Sequence, residues 1–280
     1  MRTVHSVAEL RALLADERRA ALVPTMGNLH RGHLQLIRRA RQLGGPVVAS
    51  IFVNRLQFGA GEDFDRYPRT LAEDACALAE SGCDVLFAPD EVTVYPTPQT
   101  VLVQPPPEAE QLCGLHRPGH FAGVLTLVCK LFNAVQPAAA VFGEKDFQQL
   151  WLIREMVRQL AVPVQIIGQP TERDADGLAL SSRNTYLSAT ERREAVRLYR
   201  TLCDVRARIE GGHWEVAAVL SGARRDLEAN GWGVEYIEVR DAATLRPPQA
   251  ESREWVLMAA AHLGTTRLID NVRFARVGAA

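Results

Sequence analysis

Short apolar runs rich in β-branched residues alternate with segments of helical periodicity over the first 170 positions. The helical segments carry apolar residues at spacings of three and four, as in Phe121–Val135, which is typical of a helix with a buried face. The predicted strands are Ala20–Val23, Val47–Val53, Asp84–Phe87, Ala139–Phe142 and Val162–Ile167, and the other predicted helices are Leu34–Leu43, Thr70–Glu80 and Phe147–Leu160. Strands that alternate with helices predict an α/β fold with a doubly wound parallel sheet.

The pattern changes near Thr171. Ser188 and Glu191 form a capping-box sequence, which predicts a helix that continues to about Ile209. A further helix and two strands are predicted at Trp214–Asn230, Val234–Val239 and Trp255–Ala260. This segment predicts a smaller α+β domain. The expected domains are 1–170 and 171–280.

Charge and composition exclude several classes of protein. Lys+Arg is 32 and Asp+Glu is 33, so the formal net charge is −1, and a near-neutral chain offers no broad electrostatic surface for nucleic acid. Lysine occurs only at Lys130 and Lys145, and the other 30 basic residues are arginines. The apolar runs are far shorter than the ~20 residues of a membrane span. The N-terminal segment lacks the apolar core of a signal peptide. We therefore expect a cytoplasmic protein that binds no membrane.

The five cysteines carry no sign of a disulfide framework or a zinc site. Their number is odd, no Cys-x-x-Cys pair occurs, and no histidine cluster accompanies them. Buried free thiols are therefore the expected state.

The strongest local signal for chemistry is PTMGNLHRGH, residues 24–33, where the first predicted strand gives way to a helix. Ligands bind at the carboxyl ends of strands in an open α/β sheet, and a helix N-terminus suits phosphate. His30 and His33 are three residues apart and can face the same way, while Gly27 and Gly32 leave room for a nucleotide against the backbone. The alternative is a pair of surface histidines in a loop. Neither Gly-x-Gly-x-x-Gly nor a Walker A sequence occurs, which argues against a dinucleotide site and a P-loop kinase.

A second signal, GEKDFQQ at residues 143–149, follows a predicted strand at the same edge of the sheet. The Lys145 ammonium can neutralise phosphate charge there. Asp146 has a structural alternative, because Asp-x-x-Gln is a capping-box variant in which Asp146 caps the helix and Gln149 reaches back. The two roles of Asp146 can coexist.

Two further segments are weaker signals on their own. Ser181, Ser182 and Arg183 can clamp a phosphate. On spacing alone, a polar turn before the next helix explains them better, and the His-x-Gly-His segment is what favours the clamp. Gln57 and Gln149 are neutral donors. Amides can hold a carboxylate nucleophile without the tight ion pair that would lower its nucleophilicity.

Taken together, these residues resemble the family of pantoate–β-alanine ligases, also called pantothenate synthetases. The matching segments are PTMGNLHRGH (24–33), IFVNRLQFG (51–59), EDFDRYPRT (62–70), RPGHFAGVLTLVCKLFNAVQP (117–137), VFGEKDFQQL (141–150) and DGLALSSRNTYLS (176–188). The resemblance implies a Rossmann-like sheet of the His-x-Gly-His nucleotidyltransferase type, a small C-terminal lid domain and a homodimer. It also implies condensation of pantoate with β-alanine, using ATP and Mg²⁺, through a pantoyl-adenylate.

The resemblance further implies the roles of individual residues. His33 is the expected proton donor, with His30 beside it, and Lys145 and Arg183 complete the expected catalytic set. Gln57 and Gln149 are expected to bind pantoate, Gln57 also near β-alanine. The residues expected to bind ATP are Met26, Gly27, Asn28, Leu29, His30, Arg31, Gly32, His33, Gly143, Glu144, Lys145, Asp146, Glu172, Leu180, Ser181, Ser182 and Arg183. The sequence does not indicate the metal ligands.

Two departures from the family pattern bear on these expectations. Arg55 stands where the family usually has proline, so the loop that presents Gln57 can be shaped differently. Glu172 stands where Pro-Thr-Val-Arg is common, and a backbone contact with the nucleotide would be little affected there.

Three alternatives stay open at this point. One is a nucleotidyltransferase that moves AMP or CMP onto a phosphorylated acceptor, against which the glutamine pair and the lid motif argue. Another is a catalytically inactive nucleotide-binding or scaffold protein, against which His30, His33, Lys145 and Arg183 argue. The third is an RNA-binding module, suggested by the 30 arginines, but these are dispersed and balanced by acidic residues.

Overall fold

The computed structural model describes residues 1–212 and 215–275, which divide into two compact units. The first unit comprises residues 1–144 and 148–171. The second comprises residues 145–147 together with the described residues after 171. Lys145–Phe147 therefore clusters with the second unit, although the chain on both sides of it belongs to the first.

The first unit is built on a sheet of six parallel strands. Its strands are β1 Arg2–Val4, β2 Ala21–Thr25, β3 Val47–Ile51, β4 Val85–Phe87, β5 Ala139–Gly143 and β6 Gln165–Gln169. Its helices are α1 Val7–Leu14, α2 Arg31–Arg41, α3 Leu71–Glu80, α4 Glu91–Val94, α5 Cys113–His116, α6 His120–Val135 and α7 Phe147–Gln159. Two 3₁₀ turns lie at Arg55–Gln57 and Pro107–Glu110, and a third, Glu144–Asp146, begins in the first unit and ends in the second. This confirms the predicted parallel α/β sheet.

The strand order is β1-β4-β3-β2-β5-β6. From β2 the sheet extends through β3 and β4 on one side, and the chain then returns to the other side of β2 to add β5 and β6. The point of reversal between β2 and β5 is where open α/β sheets bind ligands. β2 pairs with β5 only at Ala21–Ala139 and Leu22–Ala140, whereas it pairs with β3 along its whole length. The residues Val23–Thr25 are therefore unpaired with β5, and the two strands separate before their carboxyl ends.

The central strands are covered on both faces. Leu36, Ile37 and Ala40 of α2 are buried in one cluster with Ala21 and Val23 of β2. Strands buried on both faces appear in the sequence as continuous apolar runs, which explains why these strands were recognisable.

The second unit is an antiparallel sheet with helices packed against it. Its strands, in the order β7-β8-β9, are β7 Trp232–Asp241, β8 Glu254–Leu263 and β9 Thr266–Ala275. Its helices are α8 Ala189–Glu194, α9 Val196–Glu210 and α10 Val216–Ala229, and a 3₁₀ turn spans Ser182–Tyr186. Leu202 and Val205 of α9 and Leu227 of α10 share a buried cluster with Leu257 and Ala259 of β8. The predicted α+β character is confirmed, with one strand, β9, beyond the two expected.

The predicted strands differ from the observed ones by up to three residues at their ends, and two of these differences have a clear local cause. The expected strand Val162–Ile167 begins only at Gln165, because the N–H groups of Val162 and Val164 donate to carbonyls at Val157 and Val162 in tight local turns. The expected strand 47–53 ends at Ile51, ahead of the turn that Asn54 caps.

The helices of the second unit also differ in detail. The expected helix from Ser188 to Ile209 is interrupted at Ala195, between α8 and α9. Ala195 keeps right-handed helical dihedrals (φ −54°, ψ −27°), so the interruption is local. The expected start of the next helix, Trp214, lies outside the described residues, and α10 begins at Val216.

All five cysteines are free thiols, as predicted, but they are not all buried. Cys83 and Cys113 are buried, Cys129 and Cys203 are partly buried, and Cys76 is exposed, so the expectation of burial is wrong for Cys76. Burial raises the pKa of Cys83 to about 11. Across 1–212 and 215–275, none of the helices combines the length and hydropathy needed to cross a membrane.

Candidate active site

The two histidines of PTMGNLHRGH form the N-terminal cap of α2. The His30 Nδ1 accepts the backbone N–H of Gly32 at 3.1 Å, and the His33 Nδ1 accepts the backbone N–H of His30 at 3.3 Å. The two rings are stacked, with centroids 4.0 Å apart. A neutral imidazole whose Nδ1 accepts a hydrogen bond carries its proton on Nε2. The cap therefore makes Nε2–H the donor on both rings, at a helix end that favours anions.

The loop that leads into this cap is held by a buried carboxylate. Asp74 of α3, 3% exposed, accepts the N–H groups of Asn28 at 2.9 Å and Leu29 at 2.8 Å, and the Thr70 hydroxyl at 3.1 Å. Gly27 has φ +82°, and a Cβ there would lie 3.0 Å from an Asp74 oxygen. Asp74 therefore fixes the backbone that enters α2.

The side-chain amide of Gln57 is held in one orientation. Its Oε1 accepts a hydrogen bond from the Asn54 Nδ2 at 3.0 Å, and its Nε2 donates to the Met26 Sδ at 3.2 Å. Asn54 is fully buried, and its Oδ1 accepts the Tyr95 hydroxyl at 2.7 Å and the Leu56 N–H at 3.3 Å. Burial raises the pKa of Tyr95 above its ordinary value, so the phenol stays protonated and remains a donor. Asn54 thereby turns the Nε2 of Gln57 toward the end of β2.

Residues at and just before the start of α6 hold the backbone of Gln57 in place. His120 Nδ1 lies 2.8 Å from the Gln57 carbonyl, and Arg117 donates to the His120 Nε2 at 3.0 Å, so the His120 proton sits on Nδ1. Burial alone would raise the pKa of Glu62, but its hydrogen bonds from Arg117 hold that pKa below its usual value. A Cβ at Gly123 would lie 2.2 Å from the Leu56 carbonyl oxygen, so only glycine allows α6 to approach this turn.

Arg55, the departure from the family pattern, lies in the same 3₁₀ turn. Its guanidinium stacks on the Phe64 ring at 4.0 Å and bonds the Glu91 carboxylate at 3.2 Å. Arg55 thus contacts the segment that follows the turn, while Asn54 holds Gln57.

Two adjacent glutamines on α7 have different surroundings. Gln148, 2% exposed, accepts the Cys113 N–H and donates to the carbonyls of Glu108 and Gln111, so its amide is fully used in folding. Gln149 is half-buried and makes no side-chain hydrogen bond within the described part of the chain. Of the two, only Gln149 has an amide available to a ligand.

Gly143 is the last residue of β5, and the turn Glu144–Asp146 follows it directly in the chain. The Lys145 Nζ lies 3.8 Å from an Asp146 oxygen, with the lysine side chain 18% and the aspartate side chain 46% exposed. The Glu144 carboxylate packs over Gly168 of β6, where a Cβ would lie 2.9 Å from its Oε1. The expected capping box is not formed as predicted, because within residues 1–212 and 215–275 the Gln149 side chain makes no hydrogen bond back to Asp146.

The other expected nucleotide residues share a tight hairpin in the second unit. Leu180 donates its N–H to the Glu172 carbonyl at 2.9 Å, and Arg173 and Ala179 form an antiparallel bridge, so positions 172 and 180 are side by side. Ser181 caps the following 3₁₀ turn by accepting the Arg183 N–H at 3.3 Å. The structure therefore brings together Glu172 and the Leu180–Arg183 segment, eight residues apart in sequence.

Several residues that support this site were not singled out from the sequence. They are Asn54, Asp74, Arg117, His120 and Gly123. Asn54 lies inside one of the motifs and was readable as a cap, because Asn before a short helical turn is a common N-cap. Arg117, His120 and Gly123 lie inside the matching segment 117–137, but their contacts with the Gln57 turn, like those of Asp74 with residues 28 and 29, span sequence separations that one sequence does not reveal.

No set of three or more His, Cys, Asp or Glu side chains could hold a metal ion within residues 1–212 and 215–275. Mg²⁺ commonly binds through one or two carboxylates together with substrate phosphates. The half-exposed carboxylate of Asp146 fits such a partial ligand set.

The chain is similar to known proteins over almost its full length. A family model described as pantoate-beta-alanine ligase matches residues 2–273. A pantothenate synthetase of Thiobacillus denitrificans is 58% identical, covering 97% of this chain and 96% of that protein. The crystal structure of pantothenate synthetase from Thermus thermophilus has a TM-score of 0.92 at 47% identity, covering 97% of this chain and 99% of that one. A pantoate-beta-alanine ligase from Francisella tularensis, complexed with beta-gamma ATP and beta-alanine, has a TM-score of 0.82 at 33% identity, covering 97% of each chain.

Proposed function

Because the chain belongs to the pantoate-beta-alanine ligase family, we propose that it condenses pantoate with β-alanine in two steps through a pantoyl-adenylate. ATP is the co-substrate, and AMP and pyrophosphate are the other products. The observation that carries the proposal is the reversal of strand order between β2 and β5, with the capped histidine pair directly after β2.

The first step activates a carboxylate, whose oxygen is a poor leaving group in water. A pantoate carboxylate oxygen attacks the α-phosphorus of ATP, and the bond from that phosphorus to the bridging oxygen of pyrophosphate breaks. The Nε2–H groups of His30 and His33 donate to phosphate oxygens as charge develops on them. Because both rings are already fixed by their Nδ1 bonds, little reorganisation is needed during the reaction.

Pantoate is held by amides rather than by a cation. Gln57 offers Nε2–H in an orientation set by Asn54, and Gln149 offers an amide that folding does not use. Neutral donors leave the carboxylate oxygen nucleophilic, whereas a bidentate arginine would stabilise its charge. Correct placement of the two reactants supplies much of the rate.

The nucleotide is bound by two groups of the second unit. Lys145 supplies an ammonium to the phosphates, and the Leu180–Arg183 segment supplies two hydroxyls and a guanidinium. Mg²⁺ would be held by Asp146 and by the phosphates themselves, and its chemistry there is to neutralise phosphate charge.

The second step forms the amide bond. The neutral amine of β-alanine attacks the carbonyl carbon of the adenylate, the carbon–oxygen bond to AMP breaks, and the new amide nitrogen loses one proton to solvent water. Gln57 is assigned to this step as well, since the amine must approach the same carbonyl. A homodimer, a cytoplasmic location and the absence of a nucleic-acid partner stay predictions that rest on the resemblance and on composition.

The test is exchange of labelled pyrophosphate into ATP in the absence of β-alanine. We expect exchange that requires both pantoate and Mg²⁺, because reversal of adenylation needs only the first half-reaction. Folded protein that binds ATP but gives no exchange would overturn the proposal. Transfer of AMP to a phosphorylated acceptor, with none to pantoate, would support the rival nucleotidyltransferase.

His33→Ala should slow adenylation by about 10²-fold, the loss typical of one preorganised donor to a developing oxyanion. The variant also loses the hydrogen bond to the His30 N–H, so some of the loss is positional. Single-turnover formation of the adenylate measures this loss of rate. His5→Ala is the control, because the His5 ring also bonds a backbone group, the Ala88 carbonyl at 2.7 Å, but is assigned no role in the reaction. A rate equal to that of the unmodified chain would make His33 a structural cap only.

A further inference from the structure

Two neighbouring residues of β9, Asp270 and Asn271, hold different segments of the second unit. Both are buried, at 4% and 7% exposure. Successive residues of a strand face opposite sides of the sheet, so the pair can reach in two directions. Asp270 contacts the hairpin that begins at Glu172, and Asn271 contacts Lys145.

Asp270 anchors the hairpin through Arg173. The Arg173 guanidinium donates to the two Asp270 oxygens at 2.6 and 2.8 Å, a bidentate pair. It also donates to the carbonyls of Gly177 and Asn271 and stacks on the Tyr199 ring at 3.6 Å. Because Arg173 lies in the same hairpin as the Leu180–Arg183 segment, its fixed guanidinium fixes where that segment begins.

Asn271 anchors the backbone of Lys145. Its Nδ2 donates to the Lys145 carbonyl at 2.9 Å. Arg273, two residues further along the same face of β9, lies over the Phe147 ring at 5.8 Å. These contacts connect Lys145–Phe147 to β9, within the second unit. The contacts with β9 use the Lys145 carbonyl and the Phe147 ring, and they do not involve the Lys145 side chain.

We propose that Asp270 and Asn271 are positioning residues. Because both lie on β9, they fix the distance between the Lys145 ammonium and the Leu180–Arg183 segment. This inference rests on the proposed function, which assigns both groups to ATP. The physical reason is that a reacting group displaced by about 1 Å can lose about 10²-fold in rate. A flexible lysine side chain holds its ammonium accurately only where its Cα is fixed.

The test is Asn271→Ala, assayed by pantoate-dependent pyrophosphate exchange. We expect kcat to fall at least about 10-fold, while the KM for pantoate changes less than about two-fold, because Gln57 and Gln149 belong to the first unit. Asn230→Ala is the matched control. Its amide also donates to a backbone carbonyl, that of Asp226 at 2.8 Å, in the same unit but at an exposed helix end.

A double variant separates positioning from general destabilisation. If Asn271 acts through Lys145, the variant with both Lys145→Ala and Asn271→Ala exchanges no more slowly than Lys145→Ala alone. If the two losses multiply in full, Asn271 acts elsewhere and the inference is wrong. Should Asn271→Ala fail to fold, Asn271→Thr suits a strand but presents a hydroxyl too short to reach the carbonyl, and the same losses are expected.

The Asp270 half of the inference is tested by Arg173→Lys, which keeps a charge opposite Asp270 but loses the bidentate fork. We expect the KM for ATP to rise several-fold with the KM for pantoate unchanged, and an unchanged KM for ATP would overturn this half. An unmodified chain without exchange overturns the proposed function and this inference together. An active unmodified chain with an Asn271→Ala variant of equal kcat overturns the inference alone.

Discussion

Lys145→Ala is expected to exchange pyrophosphate into ATP at least about 10²-fold more slowly than the unmodified chain, since removal of one preorganised donor costs about 10²–10³-fold. The Lys145 side chain is only 18% exposed, and its ammonium lies 3.8 Å from the carboxylate of Asp146. It is therefore poised for a phosphate rather than neutralised by a tight ion pair. Lys145→Arg should rescue the rate only partly, because a planar guanidinium does not replace a compact ammonium.

The chain offers one matched control for this experiment, because it has a single other lysine. Lys130 donates to the Gln99 side chain at 2.8 Å and lies 4.8 Å from the centre of the Tyr95 ring, and it is assigned no contact with a substrate. Lys130→Ala removes the same charge and should leave exchange nearly unchanged. Equal rates in the two variants, with both folded, would remove Lys145 from the mechanism.

Asp74→Asn is expected to lower exchange by about 10²-fold although Asp74 is assigned no contact with a substrate. An amide leaves one of the two backbone N–H groups of Asn28 and Leu29 facing another donor, at a cost of about 1–3 kcal/mol. The loop before His30 must then shift, and a shift of about 1 Å is enough for a loss of this size. Single-turnover adenylation gives the rate, and urea unfolding gives the loss of stability.

Glu73→Gln is the matched control for Asp74→Asn. Glu73 is the preceding residue of α3, is exposed, and undergoes the same change of charge and shape. We expect its rate and its free energy of unfolding to be close to those of the unmodified chain. An Asp74→Asn variant that is less stable but fully active would show that the loop tolerates the lost bond, and Asp74 would then be structural only.

The sequence was sufficient for the parallel sheet because its central strands, β2, β3 and β5, are mostly buried. It was not sufficient for β1, which has three residues and only one buried side chain, too few for any periodicity. Nor was it sufficient for β9, whose run of apolar residues is broken by Asp270 and Asn271. Buried polar residues in a strand conceal it from a pattern based on hydrophobicity, and here they are the residues that hold Arg173 and Lys145.

The candidate site was predictable to the extent that it follows the ends of strands. The segments after β2, β3 and β5 were identifiable because chemically active residues occur there in short motifs. The supports of these motifs were not, because Asp74 lies 46 residues from Asn28 and His120 lies 63 residues from Gln57. Such pairs are decided by packing, and one sequence alone does not reveal them.

The bond between Asn271 and Lys145 joins residues 126 positions apart, and it has a consequence for the growing polypeptide. At about 5–20 residues per second, Asn271 is synthesised roughly 6–25 s after Lys145. During that interval the six-stranded sheet can already be complete, because β6 ends at Gln169. A nascent chain would then contain the completed six-stranded sheet, while the Lys145 carbonyl still lacks its hydrogen bond from Asn271. Ribosome-bound intermediates and products truncated before β9 would therefore fold in part without acquiring the activity.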